Sequence, residues 1–303
     1  MRIAVTGREG QVVRSLIERA ANSSDEVVPV GRPELDLSGD PDAIARAIEA
    51  ASPDLIVSAA AYTAVDRAES ESDLAFAVNA RGAEAIARAA AKLGTPLIHI
   101  STDYFFDGRK EAPYVEADPA SPASVYGASK LAGEEAVLAT QPNSAILRTA
   151  WVYSPFGMNF VKTMLRLAGE RDEVAIVSDQ IGNPTNALDI ADGVLRVAAN
   201  LASADQPRQR GVFHMTATGE ATWADFAEAI FAASAAAGGP SARVRRITTA
   251  DYPTAARRPA NSRLDSTRLE QAHGVRLPDW RASLAGVVHR LLVPSDQSKA
   301  FHE

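Results

Sequence analysis

Tyr126 and Lys130 stand four positions apart in the run VYGASKLAGEEAVLA, whose composition is helical. Four residues is a little over one turn, so a phenol and an ammonium project from one helix face within reach of a shared ligand. A tyrosine ordinarily titrates at about 10 and a neighbouring cation favours its charged form, so Lys130 is expected to ease proton release from Tyr126 near neutral pH. The same spacing also arises by chance, and a lysine stem lying on a surface ring gives the same pattern. Thr102 supplies context. It lies in HISTDYFFDG, directly after an apolar run at residues 96–100. There its hydroxyl can hold a carbonyl that Tyr126 protonates, the alternative being a buried helix cap.

These groups meet only if the chain folds as a sheet flanked by helices. Strand-like runs at 2–6, 26–30, 54–58, 96–100, 144–148 and 173–177 alternate with amphipathic stretches at about 11–21, 41–51, 72–93, 122–139 and 159–170. That alternation predicts an α/β fold, a Rossmann-like doubly wound parallel sheet. After residue 178, helices are expected near 187–201, 222–237 and 280–292, short strands near 211–215 and 243–247, and a Pro/Arg-rich loop at 253–263. Together these make a smaller C-terminal α/β lobe. The expected division is residues 1–150 for dinucleotide binding, with parts of 151–220 contributing, and 151–303 mainly for substrate. The polar tail after Pro294 is expected to fray.

Ligands of open α/β sheets bind outside the carboxyl ends of the strands. After the first strand, GREGQVV sets Gly7 and Gly10 where backbone can approach a pyrophosphate at a helix N-terminus, with Val13 in place of a third glycine. After the second, GRPELDL carries Arg32 at its tip, where an acid would hold a ribose 2′-hydroxyl. An arginine suits a 2′-phosphate and hence NADPH, while Glu34 keeps NADH possible. Asp36 and Leu37 follow as partners for the adenine edge and face. The third strand leads into AAAYTAVD, whose small side chains let a flat cofactor lie against backbone. In that setting Lys130 would also grip a nicotinamide ribose.

Composition narrows the class. Hydrophobic residues are 46% and charged residues 23%, ordinary for a soluble globular chain of 303 residues. A net charge of −7 argues against nucleic acid or an anionic membrane as partner. The absence of cysteine excludes thiol catalysis, disulfides and thiolate metal sites, and the five scattered histidines lack metal-ligand spacing. With no apolar leader or membrane-length run, the expected location is cytoplasmic.

The ordered set GREGQV, AAAYTAVDRAE, HISTDYFFDG, VYGASKLAGE, RTAWVY, DQIGNPT and RPANSRLD resembles the extended short-chain dehydrogenase/reductase superfamily and, within it, the dTDP-4-dehydrorhamnose reductases, over nearly the whole chain. The resemblance implies reduction of the 4-keto group of a dTDP-linked 6-deoxyhexose by a nicotinamide hydride, the last step toward dTDP-L-rhamnose. It implies Tyr126 as proton donor with Lys130 and Thr102 completing the catalytic set. Gly10, Gln11 and Val12 would meet the diphosphate, Asp36 and Leu37 the adenosine, and Ala61, Tyr62 and Thr63 the middle of the dinucleotide. Thr102, Asp103 and Trp151 would line the sugar. Some members are linked to magnesium through acidic side chains, but Ser15 offers no carboxylate where one would be expected, so no metal is expected here. A monomer or a homodimer is compatible with the sequence. Another nucleotide-sugar reductase or epimerase on the same scaffold, or a non-catalytic dinucleotide-binding subunit, are the competing expectations.

Overall fold

The computed structural model describes residues 1–21, 23–203 and 206–293; the tail after Pro294 lies outside them. Its strands of four residues or more are β1 (Arg2–Thr6), β2 (Glu26–Val30), β3 (Leu55–Ser58), β4 (Leu97–Thr102), β5 (Ser144–Thr149), β6 (Glu173–Val177), β7 (Gly211–His214) and β8 (Arg243–Ile247). Six of them form one parallel sheet in the order β7-β5-β4-β3-β1-β2. β3 and β5 are buried at every position, as strands covered on both faces must be.

Among the described residues, the α-helices of eight residues or more are α1 (Gln11–Ala20), α2 (Pro41–Ala50), α3 (Ala83–Leu93), α4 (Val125–Thr140), α5 (Phe160–Ala168), α6 (Ala187–Ser203), α7 (Trp223–Ala236) and α8 (Trp280–Leu292). On one face, Val13 and Leu16 of α1 and Ile190, Val194 and Val197 of α6 pack on Val5, Val57 and Leu147. On the other, Ile44 and Ile48 of α2, Ile86 and Ala90 of α3 and Val137 of α4 pack on Ala4, Ile56 and Ile146. A third core joins α5, α7 and α8 through Val161, Phe226, Ile230, Trp280 and Leu284, with Val174 and Ile176 of β6.

Two expectations from the sequence are corrected. Residues 173–177 were expected among the main-sheet strands and 211–215 in the second lobe, but the two exchange places. β6 pairs with β8 in a separate two-stranded sheet, whereas β7 extends the main sheet beside β5. The burial of β6 alternates along its length, which fits a sheet covered on one side only. The stretch 72–93 is also not one helix: Ser72–Phe76 is α-helical, Ala77–Gly82 forms a π-helical turn, and α3 follows. The wider turn carries Asn79 inward, where it is 2% exposed. Gly133 of α4 faces that turn, because any Cβ there would collide with the Asn79 carbonyl.

Candidate active site

The groove at the carboxyl ends of the strands begins at Gly7, whose N–H donates to the Val30 carbonyl at 2.7 Å and whose φ of 101° excludes most side chains. α1 starts at Gly10 without a side-chain cap, so its first amides remain available to an anion. Val13 stands buried where a third glycine would be, its Cγ2 only 3.4 Å from where a Gly7 Cβ would lie. It therefore packs helix against strand without filling the groove. The Thr6 hydroxyl accepts from the amides of Ala59 and Ala60, both at 3.0 Å, which fixes the start of the loop after β3. Asn79 fixes its next turn: Oδ1 accepts from Tyr62 N at 2.8 Å, while Nδ2 donates to Tyr62 O at 3.1 Å and to Ser129 Oγ on α4 at 2.9 Å.

Two cavities, of about 620 and 550 Å³, share Gly7, Glu9, Ala60 and Ala61 and so form one elongated groove. The outer one is lined by Arg32, Asp36, Leu37 and Tyr62, among others. Arg32 is 70% exposed and pairs with Asp36 at 3.0 Å. Bonds from the Ser38 hydroxyl and amide, with the Arg32 guanidinium, hold the Asp36 carboxyl down at about 2. Glu34 is engaged by Arg8 at 2.7 Å.

The inner cavity is lined by Gln11, Val12, Thr63, Thr102, Asp103, Tyr126, Lys130 and Trp151, among others. Ser124 caps α4 by accepting from Gly127 N at 3.1 Å, which sets Tyr126 and Lys130 in its first turns. Tyr126 is buried, with the Tyr104 ring edge-on at 5.3 Å. Burial raises its pKa above the ordinary value; the Thr102 hydroxyl pulls it down, and Tyr104 and Asp103 add to the rise. The expectation that Lys130 eases this phenol's ionisation is not met. Lys130 shares the helix face, but its long stem carries Nζ to β4, where it donates to the Ile100 carbonyl at 2.8 Å and lies 3.3 Å from His99 Nε2. Burial brings its pKa down to about 8, opposed by Glu134.

Asp103 is 2% exposed, and burial pushes its carboxyl up to about 6 against bonds from Ser262 and Thr102. Its folded pKa lies above the unfolded one, so its contribution to stability is full below about pH 4 and is lost as pH rises through 6. Asp103→Asn is therefore expected to raise unfolding stability near pH 7.5 by up to about 3 kcal/mol, and to give no gain near pH 3.5. Denaturant unfolding at both pH values measures it; an equal gain at both would assign the effect to packing.

Trp151 follows β5 with a φ of 47° and stacks on Trp223 at 3.6 Å between ring centres, with planes 6° apart. Gly182 makes the room, since a Cβ there would meet the Trp151 indole at 2.6 Å. Beyond Trp223 lies a further cavity of about 500 Å³, lined mostly by apolar residues of α5 and β6 and closed by Tyr252 and Arg258. Arg258 also reaches Asp66, after β3, at 2.8 Å and so ties the loop at 253–263 to the segment that follows β3.

Residues 1–293 match the family described as the RmlD substrate binding domain. The dTDP-4-dehydrorhamnose reductase of Sinorhizobium fredii is 50% identical over 293 residues, covering 97% of this chain and 98% of that protein. The chain belongs to the dTDP-4-dehydrorhamnose reductase family. The enzyme of that name from Escherichia coli K12 is 42% identical over 299 residues, covering 96% of this chain and 98% of its own length. Among solved structures, a dTDP-4-dehydrorhamnose reductase from Clostridium acetobutylicum superposes with a TM-score of 0.90 at 36% identity, covering 97% of this chain and all of that one. Another from Bacillus anthracis, in complex with NADP, gives 0.87 at 34% identity and covers 94% and 98%.

In this member of the dTDP-4-dehydrorhamnose reductase family, all the sequence-derived site residues except Arg32, Asp36, Leu37 and Tyr62 line the inner cavity, and those four line the outer one. Sequence reasoning missed Asn79, His99 and Trp223. An asparagine inside a helical run and a histidine inside a strand carry no local mark, and Trp223 meets Trp151 only through the tertiary fold. Ser15 is fully buried on α1, and no three His, Asp or Glu residues converge to hold a metal among the described residues. Nor, among those residues, is any helix long and apolar enough to cross a membrane.

Proposed function

We propose that the protein reduces the 4-keto group of dTDP-4-dehydro-L-rhamnose to give dTDP-L-rhamnose, with NADPH as preferred reductant. The observation that carries this reading is the convergence of Thr102, Tyr126 and Lys130 at the inner end of an elongated groove whose backbone is bare at Gly7 and Gly10. It is supported by the identity to relatives of that name and by the NADP complex of the Bacillus anthracis relative.

The residues present fit a nicotinamide dinucleotide: an uncapped helix start for its diphosphate and two joined cavities for its ends. Gly7, Gly10, Gln11 and Val12 would hold the diphosphate, Asp36 and Leu37 the adenosine, Ala61, Tyr62 and Thr63 the middle, and Lys130 with Tyr126 the nicotinamide ribose. When bound, the nicotinamide supplies the hydride. Tyr126, kept protonated by burial, donates its proton to the carbonyl oxygen, and the Thr102 hydroxyl orients that oxygen. Asp103 and Trp151 line the sugar. Residues 1–150, with parts of 151–220, serve the cofactor and 151–303 mainly the nucleotide sugar, in a cytoplasmic monomer or homodimer. Incubation with NADPH and dTDP-4-dehydro-L-rhamnose, followed by nicotinamide absorbance, tests the reading; bound NADPH without turnover would sink it.

Arg32 gives the cofactor preference its own test. Its exposure and its pairing with Asp36 mean that a 2′-phosphate must displace a carboxylate in high dielectric. A charge-assisted contact of roughly 1.5–3 kcal/mol, halved by screening, leaves a preference for NADPH of about 3–10-fold. In Arg32→Ala the ratio of kcat/KM for the two cofactors should fall toward one. The same ratio in both proteins would remove Arg32 from cofactor selection.

A further inference from the structure

Lys130 carries a positive charge into a place where it is 2% exposed. A buried ammonium donates three N–H bonds and needs acceptors for them. The fold supplies the Ile100 carbonyl at 2.8 Å and His99 Nε2 at 3.3 Å, and Lys130 also borders the inner cavity. Because an ammonium only donates, the contact with Nε2 requires a lone pair there, which puts the ring proton on Nδ1. Nδ1 lies 3.1 Å from Ser58 Oγ, which accordingly accepts. Ser58 and His99 are register partners on β3 and β4, so the chain Ser58–His99–Lys130 runs from the middle of the sheet to the cavity.

The ring itself is 2% exposed. Burial, and secondarily the Lys130 charge, keep its pKa well below the ordinary range, so it remains neutral where an ordinary histidine would titrate. Protonation would place two cations 3.3 Å apart in a buried site and remove the lone pair that holds the lysine. Lys130 is the charged group acting on His99, Glu134 one turn along α4 acts on Lys130, and Ser58 presents only a hydroxyl.

We propose that His99, fixed as its Nδ1–H tautomer by Ser58, is a positioning residue that holds the Lys130 ammonium for the cofactor ribose. This rests on Lys130 as a cofactor-binding group, the role given to it under the proposed function. His99 touches neither cofactor nor sugar in this scheme and acts only through Lys130.

The test is NADPH affinity from about pH 6 to pH 10, by cofactor fluorescence, for wild type, His99→Leu and His99→Gln. Leucine removes the acceptor, whereas glutamine offers an amide oxygen near the place of Nε2. His99→Leu is expected to bind NADPH about tenfold more weakly at neutral pH. Its affinity should also collapse about one pH unit earlier than that of wild type, since an acceptor that favours the charged lysine is gone. His99→Gln should recover most of both losses. An unchanged pH midpoint in folded His99→Leu, or equal deficits in both variants, would overturn the proposal in favour of ring packing. If His99→Leu does not fold, imidazole ¹⁵N shifts of the wild type decide. A neutral Nδ1–H ring down to about pH 5 is expected, and an Nε2–H ring, or one protonating near its ordinary pKa of about 6.5, overturns it. Neither readout uses sugar turnover, so loss of the reductase reading and loss of the His99 role give different results.

Discussion

Tyr126→Phe is expected to lose about 10²–10⁴-fold in ketone reduction while still binding NADPH, the span typical of removing a positioned general acid. The ring stays, so the edge-on contact with Tyr104 at 5.3 Å and the packing of α4 are retained, and only the transferable proton is gone. Burial favours the neutral phenol in the free protein, which is the form a donor needs before the carbonyl arrives. The measurement is single-turnover reduction of dTDP-4-dehydro-L-rhamnose at saturating NADPH, paired with a cofactor titration. Near wild-type single-turnover rates would take the donor role away from Tyr126. A loss confined to cofactor affinity would make the hydroxyl a binding group.

Lys130→Met is expected to be nearly as damaging, by a different route. Methionine fills much of the stem's volume, so the loss is the cation and its bonds rather than packing. Charge-assisted bonds of roughly 1.5–3 kcal/mol imply about a 10–100-fold rise in the NADPH dissociation constant. The pH dependence separates charge from shape. Wild-type affinity should fall as pH rises through about 8, where burial has brought the Lys130 pKa, and the variant should lack that fall. Because that pKa is depressed in the fold, the protonated lysine is a cost to stability at neutral pH, so the variant should unfold no more easily than wild type. A wild-type affinity flat from about pH 7 to pH 10 would remove Lys130 from cofactor binding.

What the sequence made legible was whatever leaves a local imprint. The strands β1, β2, β3, β4 and β5 announce themselves as short apolar runs, and α1, α2 and α5 as amphipathic ones. The bare glycines at 7 and 10 and the Tyr126–Lys130 spacing point to chemistry because turn geometry and helical pitch are local rules. What stayed hidden depends on partners far along the chain. The exchange of β6 and β7 between sheets is decided by pairing with Arg243–Ile247 and with β5. Helical periodicity cannot reveal the extra residue per turn at Ala77–Gly82, yet that turn is what brings Asn79 to Tyr62. Spacing placed Lys130 on the face of Tyr126 but said nothing of how deep the face lies, and depth sent its ammonium to Ile100 and His99.

The stacked pair of Trp151 and Trp223 makes the protein its own optical reporter. The chain has three tryptophans; the third, Trp280, is fully buried in the core of α5, α7 and α8. Two indoles 3.6 Å apart with nearly parallel planes share their electronic excitation, so their near-ultraviolet dichroism is sensitive to that geometry. Both stacked rings border the inner cavity, and only one of them, Trp223, also borders the apolar cavity beside α5 and β6. If the sugar nucleotide binds beside Trp151 as proposed, emission and dichroism follow its arrival in the dark, with no nicotinamide turnover and no added dye.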